Sequence, residues 1–227
     1  MIRNYFKTAI RNILKHKGYS MINIAGLAIG LAVFSLTAAL FNFQMSFNQF
    51  HRDADRIYSI VQVVPSGTAG ERHSANTRAP LRNLLLNEFQ EIEDATRWIP
   101  TDRAVVRQER DTFYAEEGSS LLVDSNFLTF FSFEMIAGEP ETALSESNSV
   151  VLSESSARRY VGSDNAMGRK LTIWKDLEFV VKGVTRDAPI NSSLKFDLLI
   201  SMNTFDWETN WSIKGATFVR LAKKTPP

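Results

Sequence analysis

Residues 22–43 read INIAGLAIGLAVFSLTAALFNF, and this apolar stretch decides how the rest of the chain is organised. No Asp, Glu, Lys or Arg occurs between Lys17 and Arg52. As a helix, about 22 residues rise roughly 33 Å at 1.5 Å each, which matches the hydrocarbon core of a bilayer. Because backbone polar groups in lipid must be satisfied within the segment, the stretch predicts a membrane-spanning helix.

The segment before the apolar stretch is short and basic. Apolar residues recur there at helical spacing, which predicts an amphipathic helix in the cytoplasmic headgroup layer. A solvated basic flank that happens to be helical is the alternative. Residues 1–18 contain no acid and five cations, which are Arg3, Lys7, Arg11, Lys15 and Lys17. By the positive-inside rule, these cations predict a cytoplasmic N-terminus and export of everything after Phe43.

A cleaved signal peptide would also combine cations with an apolar stretch. The apolar stretch exceeds the usual signal-peptide core, and no clean A-x-A site precedes His51 and Arg52. We therefore expect an uncleaved anchor. The predicted division is a cytoplasmic amphipathic helix at 1–18, a transmembrane helix at 19–45 and an extracytoplasmic domain at 46–227.

Within the predicted span, Gly26 and Gly30 form a G-x-x-x-G pattern, and Ala28 and Ala32 are also small. Small residues at this spacing let the backbone of another helix approach closely. Gly26 and Gly30 are therefore predicted helix-packing residues, with the ordinary composition of membrane helices as the alternative. Lys17-Gly18-Tyr19 predicts an elbow before the span, since glycine permits a turn and tyrosine suits the interface.

The composition of the whole chain limits what the exported part can be. Its 227 residues are 44% hydrophobic, which is enough for a folded core beyond the apolar stretch. The net charge is only +1, and five cations precede the span, so the remainder is slightly acidic. A nucleic-acid-binding domain would usually be basic, so no nucleic-acid partner is expected. There is no cysteine, which excludes disulfides and thiolate metal sites.

Short β-rich segments alternate with helical ones after the span, and this order predicts an α+β domain. Asp124 is the predicted cap of the second helix, while Ser153 and Gly162 are expected to start and stop the third. The predicted helices are 80–90, 126–131 and 154–160. The predicted strands are 57–64, 97–99, 103–107, 112–116, 119–123, 150–152, 170–174, 178–185, 194–200 and 216–221.

Two motifs suggest chemistry without meeting its requirements. His51, Asp53 and Asp55 form H-x-D-x-D, but no second imidazole joins them, so we interpret them as a polar junction after the span. Gly162–Lys170 resembles a phosphate-binding loop, yet its spacing is wrong by one residue. Leu171 also stands where Ser or Thr should bind magnesium, so a turn between helix and strand is favoured.

No catalytic constellation emerges elsewhere, so no catalytic, metal or cofactor site is predicted. The chain lacks G-x-S-x-G and has only three histidines, which leaves little scope for a serine hydrolase triad. The acids Glu116-Glu117 and Asp176/Glu178 are interpreted as solvated strand ends rather than a glycosidase pair. The tryptophans are spaced for core or edge packing, and they are Trp98, Trp174, Trp207 and Trp211.

The order of several motifs along the chain is more specific than any one of them. The chain resembles the N-terminal part of MacB/FtsX-like ABC transporter permeases across almost its whole length. The motifs that carry the resemblance are residues 11–17 and 22–30 at the span, 47–51 and 54–58 after it, 123–127 and 130–133, GEPETAL at 138–144, NSVVLSE at 148–154, GRKL at 168–171 and VKGV at 181–184.

The resemblance implies one N-terminal membrane helix, a MacB-like periplasmic core domain and three further membrane helices. It also implies dimeric permeases whose domains move when a separate or fused cytoplasmic ATPase hydrolyses ATP. A periplasmic or outer-membrane partner is a further implication, and no catalytic residue or cofactor is implied. Since the sequence stops at Pro227, inside that domain, we expect the chain to be an N-terminal fragment of such a permease.

The resulting functional prediction is a permease component of an ABC-type export or mechanotransmission complex in the cell inner membrane. The alternative is a stand-alone single-pass sensor or adaptor with an exported ligand-binding domain. A membrane-anchored hydrolase is a third possibility with almost no support from individual residues.

Overall fold

The computed structural model describes residues 2–65, 71–102, 104–108, 111–162, 166–174, 176–205 and 210–223. Internal contacts divide the chain into two units, Met1–Phe47 and Asn48–Pro227. The first unit consists of helices and turns where it is described, and the second contains all of the described strands.

The helical unit contains α1, Ile2–Lys15, and α2, Lys17–Met45. Helix α2 is 29 residues long and buries none of them, and its length and composition are sufficient to cross a membrane. The predicted elbow at Lys17–Tyr19 is wrong, because these residues form the first turn of α2. The break lies at His16, whose carbonyl still accepts the N–H of Ser20 at 3.0 Å, so glycine at position 18 continues a helix rather than turning the chain.

Within the described ranges of the second unit, twelve strands form one mixed sheet and two more form a separate hairpin. The hairpin pairs β2, Gln62–Pro65, with β3, Glu71–Ser74. The sheet strands are β1 Ile57–Ser59, β4 Asn76–Arg78, β5 Ile92–Pro100, β6 Val105–Gln108, β7 Asp111–Tyr114, β8 Ser120–Val123, β9 Met135–Ala137, β10 Ser149–Ser153, β11 Lys170–Ile173, β12 Leu177–Thr185, β13 Leu198–Ser201 and β14 Lys214–Leu221.

The main path of the sheet runs β1-β14-β5-β8-β13-β10-β12-β11-β6-β7, with β4 also on β14 and β9 also on β12. Strand β10 is parallel to β12, and β13 is parallel to β8, while the other described pairs are antiparallel. The combination of this sheet with separate short helices confirms the predicted α+β class.

Among the described residues, three short α-helices accompany the sheet: α3 Leu81–Glu88, α4 Phe127–Phe130 and α5 Glu154–Val161. Both predicted ends of α5 are confirmed. The Ser153 hydroxyl accepts the N–H of Ser156 at the first turn. Gly162 has φ of 71° and donates its N–H to the carbonyl of Arg158, and glycine adopts this left-handed conformation with the least strain.

The central strands are buried on both faces of the sheet. Along β10, Val150 and Leu152 pack into one core while Val151 packs into the other, as the alternation of side chains requires. Tyr160 of α5 belongs to the first core. The second core is rich in aromatic residues from α4 and the segment after it, which are Phe127, Phe130, Phe131 and Phe133.

Several predicted elements are corrected by the structure. The strand expected at 57–64 is split, because β1 pairs with β14 whereas β2 leaves the sheet to pair with β3. The strand expected at 194–200 begins only at Leu198, after a turn in which the Ser192 hydroxyl donates to the carbonyl of Leu194. The helix expected at 80–90 is shorter, Leu81–Glu88, and both Leu84 within it and Phe89 beyond its end are exposed.

Asp124 does not cap α4, whose N-cap residue is Asn126. Its carboxylate instead accepts two hydrogen bonds from the Arg97 guanidinium, with Nη2–Oδ1 at 2.7 Å and Nε–Oδ2 at 3.0 Å. The backbone N–H of Arg97 also donates to Oδ2 at 2.7 Å, and Arg82 adds a second cation at 3.4 Å. Arg97 is 3% exposed and also donates to the carbonyl of Ala79, so this is a buried, fully hydrogen-bonded ion pair.

We predict that Asp124→Ala lowers the free energy of unfolding of the detergent-solubilised chain by about 3–5 kcal/mol, because it leaves the Arg97 charge buried without its partner. Chemical denaturation followed by tryptophan fluorescence measures this change. The matched control is Glu117→Ala, which removes an exposed carboxylate and should change stability by less than about 0.5 kcal/mol. Equal effects of the two substitutions would contradict the structural role of the pair.

Candidate functional site: the junction segment

The residues that follow α2 form the best candidate for a functional element. We define the junction segment as Asn48–Arg56, which begins three residues after the end of α2 at Met45. The sequence predicted a polar junction here. The structure shows that the segment is attached to the rest of the second unit at three separate places, through Asn48, His51 and Arg56.

Asn48 makes the first attachment. Its backbone N–H donates to the carbonyl of Asn191 at 3.1 Å, and its side-chain Oδ1 accepts the N–H of Ser193 at 2.9 Å. Its Nδ2 also lies 2.8 Å from the hydroxyl of Ser193. Asn48 has φ of 59°, a conformation that asparagine adopts more readily than most residues, so the residue type suits both the backbone and the hydrogen bonds.

His51 makes the second attachment and is buried. Its Nδ1–H donates to the carbonyl of Phe131. Its ring lies 4.0 Å from the ring of Phe50, 5.3 Å from Phe131 and 5.4 Å from Phe133, as centroid distances. Burial lowers the pKa of His51 below its ordinary value of 6.5, although the hydrogen bond to Phe131 opposes the shift.

Arg56 makes the third attachment, to two neighbouring strands of the sheet. Its guanidinium donates to the carbonyl of Leu221 in β14 at 2.6 Å and to the carboxylate of Glu93 in β5 at 2.7 Å. Its Nη2 also donates to Oδ1 of Asp53 at 2.8 Å. The hydrogen bonds from Arg56 lower the pKa values of Asp53 and Glu93, so both carboxylates stay ionised and keep the contact at neutral pH.

This bonding pattern separates the members of the H-x-D-x-D motif. His51 donates to a backbone carbonyl inside an aromatic cluster, whereas Asp53 is used by Arg56. In the part of the chain that the structure describes, no three His, Asp or Glu side chains gather in a group that could hold a metal ion. Within the described residues, His51 and Asp53 of the motif therefore take part in fixing the junction segment.

The two glycines of the G-x-x-x-G pattern have free space beside them in the described chain. A methyl group placed at Gly26 or Gly30 would meet no other atom within 4 Å. The surface of α2 at these positions is therefore accessible to a helix from outside the described chain. Their role in helix packing remains a prediction.

The Gly162–Lys170 segment lies between a helix and a strand, as predicted, although Ser163–Asn165 fall outside the described residues. Gly162 ends α5, and Gly168 has φ of 73° shortly before β11. A phosphate-binding loop requires the opposite order, from a strand into the first turn of a helix. The local topology thus gives no support to phosphate binding.

The candidate acids lie on the surface. Glu116, Glu117, Asp176 and Glu178 are all exposed, and Glu178 forms an exposed ion pair with Lys170 at 3.1 Å. These positions fit the interpretation of solvated strand ends.

The described tryptophans have different surroundings. Trp98 packs against Phe127, Phe131 and Phe218, and Trp174 packs against Phe179. Trp211 is exposed, and Trp207 lies outside the described residues.

Sequence reasoning missed a polar cluster around Asp197. Its carboxylate accepts the hydroxyls of Ser119 at 2.9 Å and Ser156 at 3.0 Å and pairs with Arg159 at 2.6 Å. Burial opposes ionisation of Asp197, but these hydrogen bonds and the Arg159 charge lower its pKa overall. Burial raises the pKa of neighbouring Tyr160 to about 12, so the phenol stays protonated. The cluster fastens α5 to the segment before β13.

The sequence model of the family described as 'MacB-like periplasmic core domain' matches residues 20–227 of this chain. The chain belongs to this family. No curated protein sequence gives a significant match.

Three solved structures are similar to the second unit in fold. A domain described as part of a permease from Porphyromonas gingivalis has a TM-score of 0.66 and 26% identity, with 78% of this chain and 77% of that chain covered. The periplasmic region of MacB from Actinobacillus actinomycetemcomitans has a TM-score of 0.55 and 15% identity, with coverage of 75% and 77%. The extracellular domain of the noncanonic ABC-type transporter YknZ from Gram-positive bacteria has a TM-score of 0.54 and 13% identity, with coverage of 74% and 84%.

This chain thus combines a MacB-like periplasmic core domain, of the kind found in ABC-type permeases, with one N-terminal helix suited to a membrane. The resemblance predicted from the order of the motifs is confirmed by the match of the family.

The burial of His51 makes the stability of the fold depend on pH. Because its pKa is lower in the folded chain than in the unfolded chain, the unfolded chain binds more protons below about pH 6.5, and stability should fall there as pH falls. We predict that His51→Asn, which keeps an N–H donor for the Phe131 carbonyl, reduces the loss of stability between pH 7.5 and 5.5.

Denaturation of the solubilised chain at both pH values measures this loss, and His73→Asn, at an exposed histidine, is the matched control. A loss of the same size in His51→Asn and in the unmodified chain would contradict the assignment.

Proposed function

We propose that the chain is a permease component of an ABC-type transporter or mechanotransmission complex. In this proposal, a partner ATPase hydrolyses ATP in the cytoplasm, and the energy moves the extracytoplasmic domain during export or efflux. The observation that carries the proposal is the junction segment, which follows a membrane-compatible helix directly and is hydrogen-bonded to the domain at three places. Membership of the MacB-like family supplies the transporter context.

The proposed mechanism is mechanical. A displacement of α2 reaches Asn48 through only two intervening residues, Ser46 and Phe47. From there the three attachments carry it to the segment before β13, to the segment after α4, and to β5 and β14. Because these contacts join separate parts of one sheet-based body, the domain should follow the helix as a unit. No step requires a reacting group in this chain, and ATP hydrolysis belongs to the partner.

The proposal includes the partners that the sequence suggested. The ATPase would act on the cytoplasmic side, where α1 lies in the headgroup layer with its cations toward lipid phosphates. A second copy of the permease would pack through the open surface at Gly26 and Gly30. A periplasmic or outer-membrane protein would meet the exported domain. We propose the cell inner membrane as the location, with the domain after Phe43 outside the cytoplasm.

Orientation can be tested directly because the chain contains no cysteine. We predict that Leu177→Cys reacts with a membrane-impermeant maleimide in intact spheroplasts, whereas Lys7→Cys reacts only after the membrane is permeabilised. Both residues are exposed, so accessibility to the reagent is limited by the membrane alone. Labelling of Lys7→Cys and protection of Leu177→Cys in intact spheroplasts would reverse the proposed orientation.

The coupling role predicts a separation between ATP turnover and transport. In the complex purified from its native host, an ABC-type ATPase should accompany the chain, and Asn48→Ala should leave ATP hydrolysis within about twofold of the original rate. The same substitution should lower the ability of the gene to restore a deletion strain by tenfold or more, because it removes the side-chain contacts to Ser193.

Asn203→Ala is the matched control, since Asn203 also bonds within the second unit, through Nδ2 to the carbonyl of Ser145 at 2.8 Å. Both functions should survive that change. Absence of an ABC-type ATPase from the purified complex would contradict the proposal and favour a single-pass sensor or adaptor.

A further inference from the structure

The loop Asp187–Ser193 presents an isoleucine to solvent. The N–H of Ser192 donates to the carbonyl of Pro189 at 2.9 Å, which places Ile190 and Asn191 at the tip of a tight turn. Ile190 is 77% exposed, more than any other large hydrophobic residue that the structure describes from Asn48 onward. Single exposed apolar residues are common on proteins, so this exposure gains meaning only from the position of the loop.

The position of the loop is fixed by the junction segment. Asn191, next to Ile190, accepts the backbone N–H of Asn48 at 3.1 Å. Asn48 lies three residues after Met45, and three residues of chain reach at most about 11 Å. The tip of the loop is thus tethered close to the end of α2, whatever the path of the intervening chain.

The length of α2 relates this tether to the bilayer. A helix of 29 residues is about 44 Å long, which is the thickness of a bilayer including both headgroup layers. If α2 spans the membrane, as the proposed function requires, its C-terminal end lies in the outer headgroup layer. The loop that is tied to Asn48 must then lie at the same surface.

We propose that the loop Asp187–Ser193 is a lipid-contact site, in which Ile190 inserts into the outer boundary between headgroups and acyl chains. The occupant is the bilayer surface itself rather than another protein. The inference rests on the membrane placement of α2 in the proposed function, and it adds a second contact between the domain and the membrane besides the covalent link.

Neighbouring residues fit this lipid contact. Phe50 in the junction segment is 36% exposed, so part of its apolar ring is open to acyl chains. Arg52 and Lys195 are exposed cations, and neither has an ion-pair partner within the described ranges, so both are available to lipid phosphates.

The loop is also ordered before it meets lipid. The Ser192 hydroxyl donates to the carbonyl of Leu194 and accepts the N–H of Leu194. The N–H of Ser193 donates to the side chain of Asn48. Insertion of Ile190 therefore requires little further ordering of the backbone. A tilt of the domain would therefore either withdraw Ile190 from the membrane or push it further in, so the lipid contact would change with each movement.

The absence of cysteine makes the site directly testable in the full chain reconstituted into phosphatidylcholine and phosphatidylglycerol nanodiscs. An environment-sensitive fluorophore is attached at Ile190→Cys, with Leu177→Cys as the matched exposed apolar control. Leu177 begins β12 and Thr185 ends it before the loop, a separation of about 26 Å at 3.3 Å per residue. Val33→Cys, exposed within α2, reports membrane insertion itself.

We expect emission from the label at 190 to shift to the blue by about 10 nm or more and to be quenched by phosphatidylcholine that carries a nitroxide high on its acyl chain. The label at 177 should show neither effect. Quenching of the label at 33 without quenching of the label at 190 would overturn the loop proposal alone. A blue shift at 190 without lipid quenching would also overturn it, because that combination indicates burial of the label against protein. A label at 33 that is also unquenched by a nitroxide placed deep on the acyl chain would overturn the membrane placement on which the loop proposal depends.

Discussion

The three attachments of the junction segment are the constraint on which this account of the protein depends. Asn48, His51 and Arg56 lie within nine residues of chain, yet their partners lie in three distant parts of the second unit. A flexible linker after α2 would absorb the movement of the helix. A segment held by backbone carbonyls, an aromatic cluster and an arginine with two carboxylates instead ties the beginning of the domain to its sheet.

The sheet has the properties that such a coupling needs. Its central strands are buried on both faces, so β10 and its neighbours cannot bend without opening one of the two cores. The Arg97–Asp124 ion pair and the Asp197 cluster add hydrogen bonds between segments that are far apart in sequence. These polar groups have the partners that burial requires, and none of the described clusters has the geometry of a catalytic site.

The sequence predicted the elements whose signals are local. Helix α2 follows from one uncharged stretch, and α5 follows from Ser153 and Gly162, which act on the backbone beside them. Strands β3, β4 and β9 could not be predicted, because they are short and owe their conformation to partners elsewhere. The site is similar: the junction was recognisable as polar, but the bonds from Asn48 to Ser193 and from His51 to Phe131 cross 145 and 80 residues. Asp124 was misassigned because capping and ion pairing use the same carboxylate, and only the fold brings Arg97 to it.

The central claim is that events at the cytoplasmic ATPase move the exported domain through α2 and the junction segment. The most direct test is the spin-label distance between Leu177→Cys in the two permease copies of the membrane-reconstituted complex, measured by pulsed dipolar spectroscopy without nucleotide and with ATP and vanadate. The account predicts distance distributions whose maxima differ between the two states by several ångströms. Identical distributions in both states, in a complex that still hydrolyses ATP, would contradict it.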